Sequence, residues 1–248
     1  MIQAQVRDSW SNPDSWFSAT EIPRLENDEA HVLLARLDEE KAAPLEQTLS
    51  NDERARAERF RFERDKKHFI VARGLLRKIL GKYLNENPRL IRFEYNKFGK
   101  PSIAGESQTA IRFNLSHSDG LALYAVSRGR QIGVDVERIK PSLIEDEMLS
   151  QVFTSKEIAH FQNLNGNERN TFFFDCWTRK EAYLKACGSG LSLPANQIET
   201  LFSSQFSAQF ANSQQTSFSL QNLPSISGYA AALAVEGNSP RVRFWLCD

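Results

Sequence analysis

The segment Gly133–Glu137 constrains the fold of this chain more than any other, because it alternates apolar and acidic residues. This alternation predicts a β-strand that directs Val134 and Val136 into a core and places Asp135 and Glu137 side by side on the opposite face. Carboxylates this close repel each other unless a cation or a proton lies between them. The strand therefore either exposes its acidic face to solvent at a sheet edge or carries a cation site.

A helix is predicted further along the chain, over Trp177–Lys185. Glu181 and Lys185 are four positions apart and so share a face of that helix. Mg²⁺ prefers a few hard oxygen ligands together with substrate phosphates, so three carboxylates beside an ammonium would suit Mg²⁺ with a bound phosphate or pyrophosphate. The alternative is a surface ion pair, which contributes only about 0.2–0.5 kcal/mol. Either segment alone is compatible with that alternative, whereas the two together favour a metal site.

Composition is that of an ordinary soluble globular protein, with 248 residues, 41% of them hydrophobic and 25% charged. The chain has no apolar run long enough for a membrane span, and its first residues lack the pattern of a signal peptide, so we expect a cytoplasmic protein. Cys176, Cys187 and Cys247 have no CxxC spacing, which indicates neither a disulfide framework nor a zinc site.

The charge distribution is uneven although the net charge is zero. Between Asn51 and Lys100, 15 Lys and Arg residues face 7 Asp and Glu residues. Such a stretch usually solvates helix faces, but it could also hold a polyanionic small molecule or meet an acidic partner. The zero net charge and the absence of an aromatic stacking pattern argue against nucleic acid as the ligand.

The first half of the chain predicts helices between strands. Residues 1–28 are expected to form an irregular arm, and Ser50–Glu53 is a capping box that opens a helix. The other predicted elements are a strand over 30–37, a helix over 65–83, a strand over 91–95, a loop over 96–101, and strands over 111–115 and 121–127.

The order of elements is similar after a turn at 128–130. A strand ends at Glu137, a capping box at Thr154–Glu157 follows, and a long helix over 170–187 ends at Gly188. Further strands are predicted within 202–210, 218–220, 229–235 and 242–246. The fold class is therefore α+β, with two pseudo-symmetric α/β halves, 1–129 and 130–248.

A third motif, Phe113–Ser118, ends a strand with a hydroxyl, an imidazole and another hydroxyl, all groups that donate to phosphate oxygens. The motifs then run in the order FNxSHS, GVDVE and WxxKEAxxK, with GxGL after them. In this order and spacing the chain resembles the 4′-phosphopantetheinyl transferases of the Sfp type. The match includes Lys100–Pro101 in a GKP loop and the helix segment Ala72–Arg77, and it extends over about 51–194.

The resemblance implies both the fold and the reaction. Coenzyme A would bind at the junction of the two halves, with Mg²⁺ bridging its pyrophosphate. A serine of an apo acyl or peptidyl carrier protein would attack the β-phosphate, and 3′,5′-ADP would leave. Carriers of fatty-acid, polyketide and nonribosomal peptide synthesis all present such a serine, and the sequence does not rank them.

The resemblance also implies residue roles. Asp135, Glu137 and Glu181 correspond to the metal ligands, and Glu181 is also the expected base, directly or through water. Lys185 corresponds to the group that neutralises the phosphate on the leaving side. The expected contacts to the 3′-phosphate of coenzyme A are Ser116, His117, Lys100 and Arg56. Some members have Asp-x-Asp where this chain has Asp-x-Glu, so direct or water-mediated metal binding by Glu137 stays open.

Two other functions fit the same motifs. One is a non-catalytic module that binds coenzyme A or carrier proteins, although a lost carboxylate would be expected there and none is missing. The other is a Mg²⁺-dependent hydrolase of a nucleotide pyrophosphate. We expect a monomer, because both halves of the cleft belong to one chain.

Overall fold

The described residues form three β-sheets, of five, three and two strands. The two larger sheets pack face to face, and a long helix covers the outer face of each. The architecture is that of a computed structural model, which describes residues 17–18, 24–105, 110–140, 144, 146–188, 193–200 and 217–247. No helix within these residues is long and apolar enough to cross a membrane. Cys176, Cys187 and Cys247 are free thiols.

The first half consists of short helices and one long helix between strands. Its strands are β1 (Phe17–Ser18), β2 (Glu29–Arg36), β3 (Phe93–Tyr95), β4 (Pro101–Ile103), β5 (Ile111–Ser118) and β6 (Leu121–Arg128). Its helices are α1 (Ala42–Glu46), α2 (Asn51–Ala57) and α3 (Glu63–Leu84).

The second half repeats this plan. It comprises β7 (Ile132–Arg138), α4 (Asp146–Val152), α5 (Ser155–Gln162), α6 (Gly166–Cys187), β8 (Phe218–Asn222), β9 (Tyr229–Glu236) and β10 (Arg241–Cys247). The long helices α3 and α6 have 22 residues each.

The pairing of the strands shows the pseudo-symmetry directly. In the first half β2 pairs with β6, and β6 pairs with β5. In the second half β7 pairs with β9, and β9 pairs with β8. All four pairings are antiparallel. The orders β2-β6-β5 and β7-β9-β8 are equivalent, because in each set the last strand in sequence lies between the other two. The predicted α+β fold with two similar halves is confirmed.

Strand β10 crosses from the second half into the sheet of the first. It runs parallel to β2, from Arg241 opposite Glu29 to Cys247 opposite Ala35, and β1 pairs with its other edge. The larger sheet thus has the order β1-β10-β2-β6-β5. A boundary between residues 129 and 130 therefore separates the two helical units but leaves a strand of the second half in the first sheet.

The cores lie where apolar faces meet. The inner faces of β2 and β6 pack against Val134 and Val136 of β7, both fully buried, as the alternation of that strand predicted. Helix α3 packs on the other face of the larger sheet, against Tyr124 among others, and α6 packs on β8 and β9. The acidic face of β7 is thereby turned toward α6.

The predicted helices and strands differ from the observed ones by a few residues at either end. The long helix of the second half begins at Gly166 rather than 170, because Asn165 and Glu168 form a further capping box. It ends where Gly188 adopts a left-handed conformation, with φ 64°. Helices α1 and α4 were not predicted. The strands predicted within 202–210 and most of the arm predicted over 1–28 lie outside the described residues.

Candidate active site

The site forms where α6 crosses β7, and Gly133 permits the crossing. A Cβ atom at Gly133 would run into the backbone of α6 at Ala182 and Ala186. Backbone atoms of a helix cannot move aside as a flexible side chain can, so only glycine allows this approach. Glu181 and Lys185 of α6 are consequently brought over the acidic face of the strand.

Asp135 lies at the centre of the site, with only 1% of its surface exposed. Its Oδ1 accepts hydrogen bonds from Lys185 Nζ at 2.5 Å and from Ser116 Oγ at 2.8 Å. Its Oδ2 is buried and has no hydrogen-bond partner among the described residues. A solvent-exposed acidic face is therefore ruled out for Asp135, and Lys185 pairs with Asp135 rather than with Glu181.

Glu137 and Glu181 have raised pKa values. For Glu137, burial raises the pKa most and the charge of Asp135 adds to it, while hydrogen bonds from Ser118 and Trp177 act in the opposite direction. For Glu181, burial again raises the pKa most, Lys185 lowers it, and the two neighbouring carboxylates raise it further. The raised pKa values arise first from burial and then from repulsion among the carboxylates, which the positive charge of Lys185 does not outweigh.

The donor set fits a divalent cation. A buried and unpartnered carboxylate oxygen, next to two carboxylates with raised pKa values, is a place where a hard cation would satisfy all three groups. Within the described part of the chain, no three His, Cys, Asp or Glu side chains converge closely enough to ligate one ion as they stand. The ammonium of Lys185 presently occupies one side of Asp135.

A pocket of about 290 Å³ opens beside this cluster, at the junction of the two halves. Glu181 and Lys185 line it from α6, and the loop between β3 and β4 lines it from the first half. Asn96 donates to the carbonyl oxygen of Gly188 at 2.7 Å, and Lys100 donates to that of Ala186 at 2.9 Å. The loop predicted from the GKP sequence is thus fastened to the C-terminal end of α6.

Positive groups gather on the other side of β5. His117 is exposed there. Partial loss of hydration lowers the pKa of its imidazole most, and the charges of Lys185, His68 and Arg56 lower it further. Arg56 stacks on the ring of Phe69, with 5.4 Å between the guanidinium carbon and the ring centroid. A second pocket, of about 540 Å³, lies at this surface and is lined by Asp52, Arg56, Arg59, Phe60 and Tyr95.

The sequence-based interpretation assigned Ser116 to a phosphate, whereas in the structure Ser116 bonds to protein groups. Its single O–H donates to Asp135, and its Oγ accepts from Lys185 Nζ at 2.9 Å and from the Val136 amide at 3.4 Å. A hydroxyl has one donor and two acceptor positions, so its capacity is used. Ser116 and His117 also point to opposite faces of β5. A phosphate contact by Ser116 would have to break its bond to Asp135.

The sequence analysis gave no role to three residues of the site and interpreted a fourth, Ser118, as a phosphate donor. Trp177 hydrogen-bonds to Glu137, Asn96 fastens the loop, and Asn114 and Ser118 contact the edge of β7. The spacing of Asn114, Ser116 and Ser118 by two residues places them on one face of β5 and was the available signal. The sequence analysis instead interpreted Ser116, His117 and Ser118 as phosphate donors.

The fold and the cleft together define a class of protein. It is an α+β protein with two similar halves, and an acidic cluster and a lysine lie at their junction. The model of the 4′-phosphopantetheinyl transferase superfamily matches residues 131–234, and a 4′-phosphopantetheinyl transferase N-terminal model matches 38–128. The 4′-phosphopantetheinyl transferase HetI of Nostoc sp. is 36% identical over 93% of this chain and 98% of its own length. The chain belongs to the 4′-phosphopantetheinyl transferase family, whose members transfer phosphopantetheine to carrier proteins.

Two further comparisons are more distant. The 4′-phosphopantetheinyl transferase Sfp of Bacillus subtilis is 28% identical, over 60% of this chain and 65% of its own length. A holo-(acyl-carrier-protein) synthase of Bacillus anthracis, solved in complex with coenzyme A (3′,5′-ADP), is 24% identical over 44% of this chain and 96% of its own, with a TM-score of 0.37.

Proposed function

We propose that this chain transfers the 4′-phosphopantetheine group from coenzyme A to a serine of apo acyl or peptidyl carrier proteins, in a Mg²⁺-dependent reaction that releases 3′,5′-ADP. The observation that carries the proposal is the buried Asp135. Its Oδ1 pairs with Lys185, its Oδ2 has no hydrogen-bond partner among the described residues, and Lys185 and Glu181 line a pocket between the halves. Phosphoryl transfer needs alignment and charge neutralisation more than covalent chemistry, and these groups supply both.

Asp135, Glu137 and Glu181 would hold the Mg²⁺ ion. An ion held there would supply positive charge that stabilises the pyrophosphate during transfer. These three carboxylates are the only groups that the proposal assigns to the metal. Direct or water-mediated ligation by Glu137 is compatible with its hydrogen bonds to Ser118 and Trp177.

Glu181 is also the proposed acceptor of the proton that the carrier serine loses. A carboxylate within hydrogen-bond reach of a hydroxyl can take its proton as a general base. Glu181 lines the pocket, where a hydroxyl can approach it directly or through a water molecule. Lys185, on the same helix face, places its ammonium next to the phosphate on the leaving side.

The remaining contacts to coenzyme A are assigned to the basic side of the cleft. His117 and Arg56 would hold the 3′-phosphate. Lys100 would join them only by giving up its bonds to the carbonyl oxygens of Ile132 and Ala186, and Ser116 only by giving up Asp135. His117 is the best supported of these, since it is exposed and lies in the field of both Lys185 and Arg56. The cytoplasm is the compartment that the sequence predicts for this reaction.

The test is to incubate the protein with coenzyme A, Mg²⁺ and an apo carrier protein, and to measure the mass of the carrier. We expect a gain equal to one phosphopantetheine group, and Asp135→Asn should abolish it. An unmodified carrier together with free 3′,5′-ADP would indicate a hydrolase instead. Binding of coenzyme A without any product would indicate a module that has lost catalysis.

A further inference from the structure

The two sheets meet along a seam between β5 and β7. At this seam β5 contributes side chains and β7 contributes backbone amides. Strand β7 forms a ladder with β9, and its other edge faces β5. Three amides on this edge donate to side chains of β5: Val134 to Asn114 Oδ1 at 2.9 Å, Val136 to Ser116 Oγ at 3.4 Å, and Arg138 to Ser118 Oγ at 3.2 Å. The constant offset shows that the strands run parallel and in register.

The two hydroxyls of this row also reach the acidic pair. Ser116 Oγ donates to Asp135 Oδ1, and Ser118 Oγ donates to Glu137 Oε2, each at 2.8 Å. Each serine therefore accepts from one amide of β7 and donates to the carboxylate of the residue before it. A hydroxyl held in this way has a fixed direction, because its acceptor and donor positions are both defined by one strand. The carboxylate rotamer is then fixed as well.

We propose that Ser118 is a positioning residue for Glu137, and that the row Asn114, Ser116 and Ser118 aligns the first half of the molecule with the acidic pair of the second. Ser118 is not among the residues that line the pocket. It acts through the carboxylate that it orients. The assignment rests on the proposed metal role of Glu137.

Ser118 is the member of the row that a substitution can isolate. Ser116 also contacts Lys185, so a change there would disturb the cation of the site. Among the described residues, Lys185 hydrogen-bonds to Ser116 and not to Ser118, so a substitution of Ser118 removes no bond of that lysine. Ser118→Thr retains the hydroxyl in a strand, where β-branched residues are well accommodated.

Mn²⁺ serves as the probe, and its affinity is measured by calorimetry on the full chain, with and without coenzyme A. Loss of a partner that orients a ligand typically lowers metal affinity by about 10- to 100-fold. We expect a loss of about tenfold for Ser118→Ala and recovery to within about threefold of wild type for Ser118→Thr. Ser219→Ala is the matched control, since Ser219 is a buried strand serine whose hydroxyl, among the described residues, bonds only the Val235 carbonyl of β9.

Each outcome decides one of the two proposals. If wild type binds no Mn²⁺ in either condition, the metal role of the acidic pair fails, and with it the role of Ser118. If wild type binds Mn²⁺ and Ser118→Ala binds it equally well, only the positioning role is overturned. If Ser118→Ala and Ser219→Ala lower the melting temperature alike with Mn²⁺ affinity unchanged, Ser118 is purely structural. An affinity loss in Ser118→Ala that Ser118→Thr does not recover would also overturn the role of the hydroxyl.

Discussion

At the scale of single residues, Lys180 and Lys185 of one helix have opposite surroundings. Lys180 is fully buried, and its ammonium donates to Glu157 and to the carbonyl oxygens of Val152 and Ala195. Lys185 has 29% of its side chain exposed and faces the pocket. Both belong to the motif that marks the family resemblance, yet the first stabilises the second half and only the second reaches the proposed substrate.

Substitution should separate these roles. Lys185→Ala is expected to lower kcat by about 10²- to 10³-fold, the usual cost of removing an electrostatic contact to the reacting group. Lys180→Met is expected to lower the free energy of unfolding by about 3–5 kcal/mol, because it leaves the buried Glu157 without its cation. Urea denaturation and turnover, both measured well below the melting temperature, distinguish the two effects.

Arg179 is the control for this pair. Its guanidinium bonds to the carbonyl oxygen of Asp175 and to the sulfur of Cys176, and it lies on a different face of the helix from Lys185. Arg179→Ala should leave kcat within about threefold of wild type. Losses of the same size for Arg179→Ala and Lys185→Ala would contradict the assignment of Lys185.

A second residue-scale prediction concerns the 3′-phosphate, by which coenzyme A differs from dephospho-coenzyme A. A hydrogen bond to a charged group contributes about 1.5–3 kcal/mol, so His117→Ala and Arg56→Ala should each lower kcat/KM for coenzyme A by about 10- to 100-fold. Dephospho-coenzyme A should be nearly unaffected. Steady-state kinetics with both donors checks this, and equal losses for the two donors would mean that the residue serves the fold or the pyrophosphate.

At the scale of secondary-structure elements, each half has a capping-box glutamate with two roles, since it both caps a short helix and pairs with a cation of the long helix. Glu53 accepts from the Ser50 amide at the start of α2 and also pairs with Arg73 and Arg77 of α3. Glu157 accepts from the Thr154 amide at the start of α5 and pairs with Lys180 of α6. Arg77 and Lys180 occupy equivalent positions in their 22-residue helices. The same buried ion pair therefore fastens a short helix to the long helix in both halves.

Glu53 gives a pH-dependent prediction. Burial alone would raise the pKa of this carboxyl, but hydrogen bonds and charges from Arg77, Arg73 and the Ser50 amide outweigh burial, and the net pKa is below 4.5. A carboxyl whose pKa is lower in the folded state stabilises the fold above its unfolded pKa and loses this contribution as the pH falls through the folded value. The stability of wild type should therefore decline as the solution is acidified below about pH 4.5.

The variant Glu53→Gln isolates this contribution. It should be less stable than wild type by about 3–5 kcal/mol at pH 7, because two buried arginines lose their carboxylate. The difference between the two proteins should shrink in acid. Urea denaturation at several pH values measures it, and a difference independent of pH would show that Glu53 stabilises by packing alone.

Local signals explain which elements the sequence predicts well. The capping boxes at Ser50 and Thr154 begin helices where predicted, since the box is satisfied by residues three apart. The alternation of Val134 and Val136 correctly predicted their burial. The partners of a strand are not local, however. The sequence of β5 does not indicate that Ser116 contacts Asp135 rather than a phosphate, because this contact depends on how the two sheets pack.

At the scale of the whole molecule, the site exists only where the two halves join. Ser116 comes from the first half, Asp135 from the first strand of the second, and Lys185 from its long helix, and all three are hydrogen-bonded to one another. Strand β10 reinforces the joint by pairing with β2 along seven residues. This parallel pairing links the end of the chain to its beginning, which explains why hydrophobic periodicity, a local property, did not reveal it.

The joint leads to the prediction that the monomer is the active unit. All the groups assigned to metal, base and phosphate binding belong to one chain, so no second copy is needed to complete the pocket. Specific activity should be constant over about a thousandfold range of enzyme concentration, in contrast to an obligate oligomer, whose stability depends on protomer concentration. Light scattering across the same range should give a mass near 28.2 kDa. A mass of two or three chains whose dissociation abolishes turnover would show that a neighbouring subunit supplies part of the site.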